Sequence, residues 1–149
     1  MPASITINDR LVVEFLAELG KKAGNLRGLM DEVGQQMETR VSNRFETESD
    51  PSGTPWMQWA DSTIASYPDD GNGRILDRYG QVGMLASLGH QADDSSVTYG
   101  FAMPYAVYHE FGTTKMPRRG LLTLDPEAGT LSDDDQRAVL DTIEAYFMP

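Results

Sequence analysis

The strongest pattern in the chain is a run of apolar residues at helical spacing. Between residues 26 and 45, successive apolar positions lie three or four residues apart: Leu26, Met30, Val33, Met37, Val41 and Phe45. This spacing puts the side chains on one narrow face of an α-helix. The sequence therefore predicts an amphipathic helix of about six turns, with its polar sides turned to the surroundings.

A shorter helical pattern precedes the long helix. The apolar positions of residues 11–19 follow an Asn8-Asp9 pair that can cap a helix, and Gly20 is a plausible stop. Before the cap, Ser4 to Ile7 alternates polar and apolar residues, which is typical of a short strand.

A third helix is indicated near the end of the chain. Ser132 can cap its first turn, and the aspartates at 133–135 suit the positive end of the helix dipole. Its apolar face is then formed by Val139, Leu140, Ile143 and Phe147.

The segment 47–74 predicts a long loop, because prolines and glycines interrupt it repeatedly. Trp56 and Trp59 lie inside this loop. Large aromatic side chains in a loop usually anchor it to a core or to a partner, and for Trp56 we expect the core.

Short elements follow the loop. The runs 85–91 and 96–101 are rich in β-formers and flank Asp93-Asp94, which predicts an antiparallel hairpin. Pro104 and Gly112 bound a short aromatic helix, and residues 121–124 could return as a strand. Together these elements predict an α+β fold with N-terminal helices, a small antiparallel sheet with a long loop insertion, and a C-terminal helix, in one domain spanning 1–149.

Composition narrows the function. With 23 acidic against 12 basic residues, the formal net charge is −11, which disfavours a nucleic-acid binder because phosphate binding needs clustered cations. The chain has no cysteine, so thiol chemistry is absent. It also lacks a signal-like or membrane-spanning apolar run, so we expect neither ordinary export nor a membrane partner.

Motifs for catalysis or metal binding are incomplete. His109-Glu110 would need a histidine at 113 to form a zinc-binding helix, but Thr113 stands there. The acidic, glycine-rich stretch 69–73 lacks the spacing of a calcium loop, so we interpret it as a turn. We therefore expect no catalytic residue, no metal and no cofactor. The alternative from another class is a small hydrolase with Glu110 as a buried base of raised pKa.

The residues best suited to protein contacts are aromatic or basic. The loop 113–119 holds the densest basic cluster on an acidic chain, which could bind the acidic surface of an identical neighbour. We expect subunit or partner contacts from Trp56, Trp59, Tyr105, Tyr108, His109, Phe111, Lys115, Arg118 and Arg119.

The order of several short motifs resembles the phage virion morphogenesis family, the tail-completion or neck proteins of Mu-like phages. The motifs are Arg44-Phe45-Glu46, Gly53-Thr54-Pro55-Trp56, Ser62-Thr63-Ile64, Ile75-Leu76, Tyr105-Ala106, His109-Glu110-Phe111-Gly112 and Pro117-Arg118. Two departures are Arg119-Gly120-Leu121-Leu122, where the family usually has Arg-Pro-Phe-Leu, and Gly83-Met84-Leu85-Ala86-Ser87 in place of Gly-x-Leu-x-x-Ser.

The resemblance implies a non-enzymatic virion protein of the head-tail junction, assembled in the host cytoplasm. It implies a ring of six or twelve identical subunits that joins the tail to the head, with DNA passing through the lumen without specific binding. The head connector or adaptor would be one partner, and the tail terminator or tail tube protein the other. A further alternative is an acidic adaptor that binds a basic partner.

Overall fold

The fold is built around one long helix that carries a hairpin and a second helix on its apolar face. The computed structural model describes residues 9–23, 26–66, 75–76 and 83–147. In the described residues the elements are α1 (Arg10–Ala23), α2 (Arg27–Thr47), α3 (Asp61–Ser66), β1 (Leu88–Ala92), β2 (Val97–Phe101), α4 (Ala106–Phe111) and α5 (Asp133–Phe147), with a 3₁₀ turn at Leu85–Ser87. The predicted α+β class is confirmed.

Helix α2 is the centre of the core, as its periodicity predicts. All six apolar positions of the pattern are buried. At its C-terminal end, the Phe45 ring packs edge-on against Trp56 at 5.6 Å and against Phe101 at 6.0 Å between ring centroids. Helix α2 ends at Thr47, and the next residue, Glu48, has a left-handed backbone (φ 51°) and donates its N–H to the Arg44 carbonyl.

The hairpin packs on α2. Its turn also contacts the start of that helix, where the Asp94 carbonyl accepts the Leu26 N–H. Strands β1 and β2 are antiparallel, with Leu88 opposite Phe101 and Ala92 opposite Val97. The Asp93 carboxylate accepts the backbone N–H groups of Ser95 and Ser96 and so fixes the turn. The predicted hairpin is therefore confirmed, although residues 85–87 form a 3₁₀ turn and not strand.

Helix α1 lies against the body through Val12 and Leu16, while Leu11 and Phe15 are exposed. Asp9 accepts the Val12 N–H, so the predicted cap is present. The predicted stop at Gly20 is wrong, because α1 continues to Ala23. A glycine inside a helix costs only about 1 kcal/mol and does not end it alone. The strand predicted at Ser4 to Ile7 lies outside the described residues.

The first part of the long loop is held by local hydrogen bonds. Asp50 accepts the N–H groups of Ser52 and Thr54 with one carboxylate oxygen, and Gly53 takes the left-handed conformation (φ 87°) that this turn needs. Trp56 then donates its backbone N–H to the Glu48 carbonyl at 2.7 Å. Residues 67–74, including the predicted turn at 69–73, lie outside the described residues.

Helix α5 is joined to α2 by a buried ion pair. Ser132 caps α5 by accepting the Asp135 N–H, as predicted. The Asp135 carboxylate is fully buried and bonds to the guanidinium groups of Arg44 and Arg40, the latter at 2.8 Å. No helix in the described part of the chain is long and apolar enough to cross a bilayer.

Removing the Asp135 carboxylate should strongly destabilise the fold. Asp135→Ala leaves the buried Arg44 guanidinium without its counter-charge, a change that typically costs about 3 to 5 kcal/mol. Asp133→Ala, at an exposed position in the same first turn, is the matched control. Urea unfolding measures both. Equal unfolding free energies in the two variants would contradict a structural role for this pair.

Candidate assembly face and the network that supports it

Glu110 is a buried acceptor that organises the segment after α4. Its side chain is 1% exposed. One carboxylate oxygen accepts the backbone N–H groups of Leu121 and Leu122 at 2.6 and 2.9 Å. The other accepts the Thr123 N–H at 2.9 Å and the Thr123 hydroxyl. These bonds explain why the strand predicted at 121–124 is wrong: three successive N–H groups turn toward one carboxylate and cannot alternate as in a ladder.

Arg118 forms hydrogen bonds within the same site, to Glu110 and to Thr123. Its guanidinium donates to the backbone carbonyls of Glu110 at 2.6 Å and Thr123 at 2.7 Å, and it contacts the Glu110 carboxylate at 3.3 Å. Gly112, with φ 75°, allows this approach, because a Cβ there would lie 3.0 Å from the Arg118 backbone nitrogen. The Arg118 side chain therefore binds its own chain.

Two distant parts of the chain, the stretch 56–58 and Arg44, also bond to the segment 118–123. Arg119 donates to the carbonyls of Met57 at 2.9 Å and Gln58 at 3.0 Å. The Trp56 indole N–H donates to the Gly120 carbonyl at 2.9 Å. Arg44 donates to the Leu121 carbonyl at 2.5 Å. The motifs scattered along the sequence thus converge on one irregular segment.

His109 borders a cavity of about 280 Å³ that Trp59, Tyr105 and Arg119 also line. Burial, and secondarily the charge of Arg119, lowers the pKa of His109 to about 4. Its Nδ1 is buried and has no hydrogen-bond partner among the described residues. The ring is therefore neutral near pH 7 and serves as a packing group.

The outer side of α4 exposes large aromatic side chains. Tyr105 is 41% exposed, Tyr108 56% and Phe111 38%, and the neighbouring Trp59 is half-buried. We call these four residues the aromatic face. Lys115 is exposed in the following loop. Trp56 is only 3% exposed, as the core interpretation expects, so it can shape an interface only by holding its loop.

The arrangement offers little to a catalytic mechanism. An ionised carboxylate has about four lone-pair sites, and the donors of Leu121, Leu122 and Thr123 already occupy those of Glu110. Among the described residues, no group of three or more His, Asp or Glu side chains could hold a metal ion. The geometry favours a structural role for Glu110 over that of a hydrolase base.

The buried polar groups of this α+β fold bond to backbone groups of the chain and to one another. The model of the phage virion morphogenesis family matches residues 7–148, and the chain belongs to that family. It is also similar to Mu-like prophage FluMu G protein 1 of Haemophilus influenzae, with 29% identity over 99 residues, covering 66% of this chain and 68% of that protein. No solved structure matches the chain significantly.

The comparisons establish a structural role in a phage virion. They confirm the family resemblance that the motifs indicate. Family membership also indicates a non-enzymatic, virion-associated protein.

Sequence reasoning missed the partners of the motif residues. The sequence predicts only a dipole-stabilising role for Asp135 and only a place in a strand for Thr123. One signal was available for Arg44, since a charged residue beside Val41 and Phe45 on a buried helix face needs a counter-charge. Nothing in the sequence indicates that the backbone N–H groups of residues 121–123 are the hydrogen-bond donors to Glu110.

Replacing Glu110 by glutamine should destabilise the protein, because the amide NH₂ would face backbone N–H donors. Leaving such buried groups unsatisfied costs roughly 3 kcal/mol. Glu127→Gln, at an exposed site, is the control, and chemical unfolding gives the comparison. A Glu110→Gln protein that is as stable as wild type but has lost a hydrolytic activity would reverse this interpretation.

His109 should make the fold sensitive to acid. Its folded pKa of about 4 lies below its ordinary value of 6.5, so the unfolded chain takes up a proton first as the pH falls. The stability that this group contributes is complete above pH 6.5 and is lost between 6.5 and about 4. The unfolding free energy of wild type should fall more steeply across this window than that of His109→Gln. Parallel pH profiles would contradict the assignment.

Proposed function

We propose that this protein is a tail-completion or neck subunit that forms a ring joining the phage tail to the head connector. Family membership supports the virion role, and the name of the Haemophilus relative, a Mu-like prophage protein, supports the phage type. The observation that carries the assembly step is the aromatic face. Large apolar rings exposed together on a fixed element are typical of a protein contact site.

The support beneath the aromatic face favours a preformed contact. Helix α4 has only six residues, too few to be stable alone. Its C-terminal end is held by the bonds of Glu110 and by Arg119, whose N–H donates to the His109 carbonyl at 2.9 Å. A face fixed before binding loses little conformational entropy when a neighbour docks.

In this proposal the neighbour on the aromatic face is a second copy of the chain, and six or twelve copies close the ring. In the loop 113–119, Lys115 is the exposed cation that an acidic neighbour could contact, while Arg118 and Arg119 act indirectly by shaping the loop. The head connector or adaptor binds one side of the ring, and the tail terminator or tail tube protein binds the other. The formal charge of −11 suits a lumen through which DNA passes without binding.

The first experiment is the native mass of the purified protein, by light scattering on a sizing column with negative-stain images of the same peak. A closed ring with an open centre supports the proposal. If the protein is monomeric alone, the measurement is repeated with the head connector as template. A chain that stays monomeric with the connector, and whose loss from the phage does not leave heads and tails unjoined, contradicts it.

Tyr108→Asp should abolish ring formation, because it places a charge at the most exposed ring of the aromatic face. The fold should persist, since more than half of the side chain is already exposed. Tyr108→Phe is the matched control, and it should assemble because it keeps the apolar area. Light scattering and circular dichroism separate assembly from folding. Normal rings from Tyr108→Asp would remove α4 from the interface.

A further inference from the structure

His90 on β1 is held between two carboxylates of α2. Its Nε2 lies 2.8 Å from a carboxylate oxygen of Asp31, and its Nδ1 lies 2.9 Å from one of Glu38. Both ring nitrogens can donate only when the imidazole is protonated. The pair of contacts therefore fits the imidazolium ion, which forms a charge-assisted hydrogen bond on each side.

The surface of α2 is shaped for this ring. Between the two carboxylates stands Gly34, where a Cβ would lie 2.3 Å from the His90 ring. Asp31, Gly34 and Glu38 follow one another at helical spacing, so they form a single row on one face. The His90 side chain is only 13% exposed. A glycine is thus used in mid-helix, at a cost in helix propensity, where it makes room for the imidazole.

We propose that His90 is a pH-sensitive latch that fastens the hairpin to α2. Among the residues that the structure describes, the titratable groups facing it are Asp31 and Glu38 on α2 and, across the hairpin, Tyr99 on β2. Burial, reinforced by the charge of Asp135, raises the pKa of Tyr99, so its phenol stays neutral. The latch is therefore controlled by one imidazole and two carboxylates.

The pH at which the latch opens depends on the opposing effects on the His90 pKa. Burial alone would lower the pKa of His90, but the hydrogen bonds and charges of Asp31 and Glu38 outweigh it and raise the pKa above 6.5. Its contribution to stability is complete below pH 6.5 and is lost as the pH rises through the folded value. When His90 is deprotonated, one of its ring nitrogens has a lone pair in place of an N–H and can no longer donate to the carboxylate that it faces.

Loss of the latch should loosen the middle of the hairpin and leave its tip attached. The tip has a separate contact, in which the Leu26 N–H donates to the Asp94 carbonyl at 3.0 Å. Strand β2 leads through residues 102–105 into α4. The latch is independent of ring formation, so its test uses the properties of the folded chain alone.

The test is an NMR titration of the imidazole protons in the full-length protein, combined with amide hydrogen exchange of the hairpin. The chain has two histidines, and His109, with its pKa of about 4, is silent above pH 6. We expect one titration with a midpoint above 6.5. Glu38→Gln should lower that midpoint, and His109→Gln should leave it unchanged.

Hydrogen exchange then tests the mechanical consequence. After correction for intrinsic rates, the amides of β1 should lose protection as the pH passes the His90 midpoint in wild type. In Glu38→Gln the loss should shift to lower pH together with the midpoint. A His90 midpoint at or below 6.5, or hairpin protection that does not change with pH in wild type, would overturn the proposal.

Discussion

The buried carboxylate of Glu110 is the interaction on which the rest of the structure depends. Burying an ionised carboxylate costs several kcal/mol unless donors replace its water. Here the donors are three successive backbone N–H groups, a hydroxyl and Arg118. The backbone at 121–123 therefore points its N–H groups toward Glu110 of α4, and these groups are not available to a sheet. In return, the carboxylate fixes the end of the helix that carries the aromatic face.

The buried ion pair of Arg44 and Asp135 is connected to Glu110 through the backbone of Leu121. Arg44 bonds both to the Asp135 carboxylate and to the Leu121 carbonyl, while the Leu121 N–H donates to Glu110. Leu121 thus links the ion pair between α2 and α5 to the Glu110 site. Networks of this kind are rigid when fully satisfied and costly when one member is lost. The coupling explains why motifs far apart in sequence serve a single structural purpose.

The sequence predicts the elements that depend on periodicity and local chemistry. Helix α2, the Ser132 cap and the hairpin follow from spacing and turn residues, and the structure confirms each. The predicted end of α1 and the predicted strand at 121–124 are wrong for different reasons. A single glycine costs too little helix propensity to end α1, and a distant carboxylate overrides the local preference of residues 121–124. The Arg118 partners were not predictable either, because Glu110 and Thr123 meet that side chain only after Gly112 reverses the chain.

Several arginines of this acidic chain form intramolecular hydrogen bonds, which limits their part in contacts with a neighbouring protein. Arg44, Arg118 and Arg119 donate to carbonyls and carboxylates of their own chain, so their charges are already engaged in holding the fold. In the proposed ring, subunits that each carry a formal charge of −11 would repel one another, and exposed ion pairs contribute only about 0 to 1 kcal/mol. Burial of aromatic area gives about 25 cal/mol per Å². On this balance an apolar contact through the aromatic face, on the helix that Glu110 holds in place, is the term that could overcome the repulsion in the proposed ring.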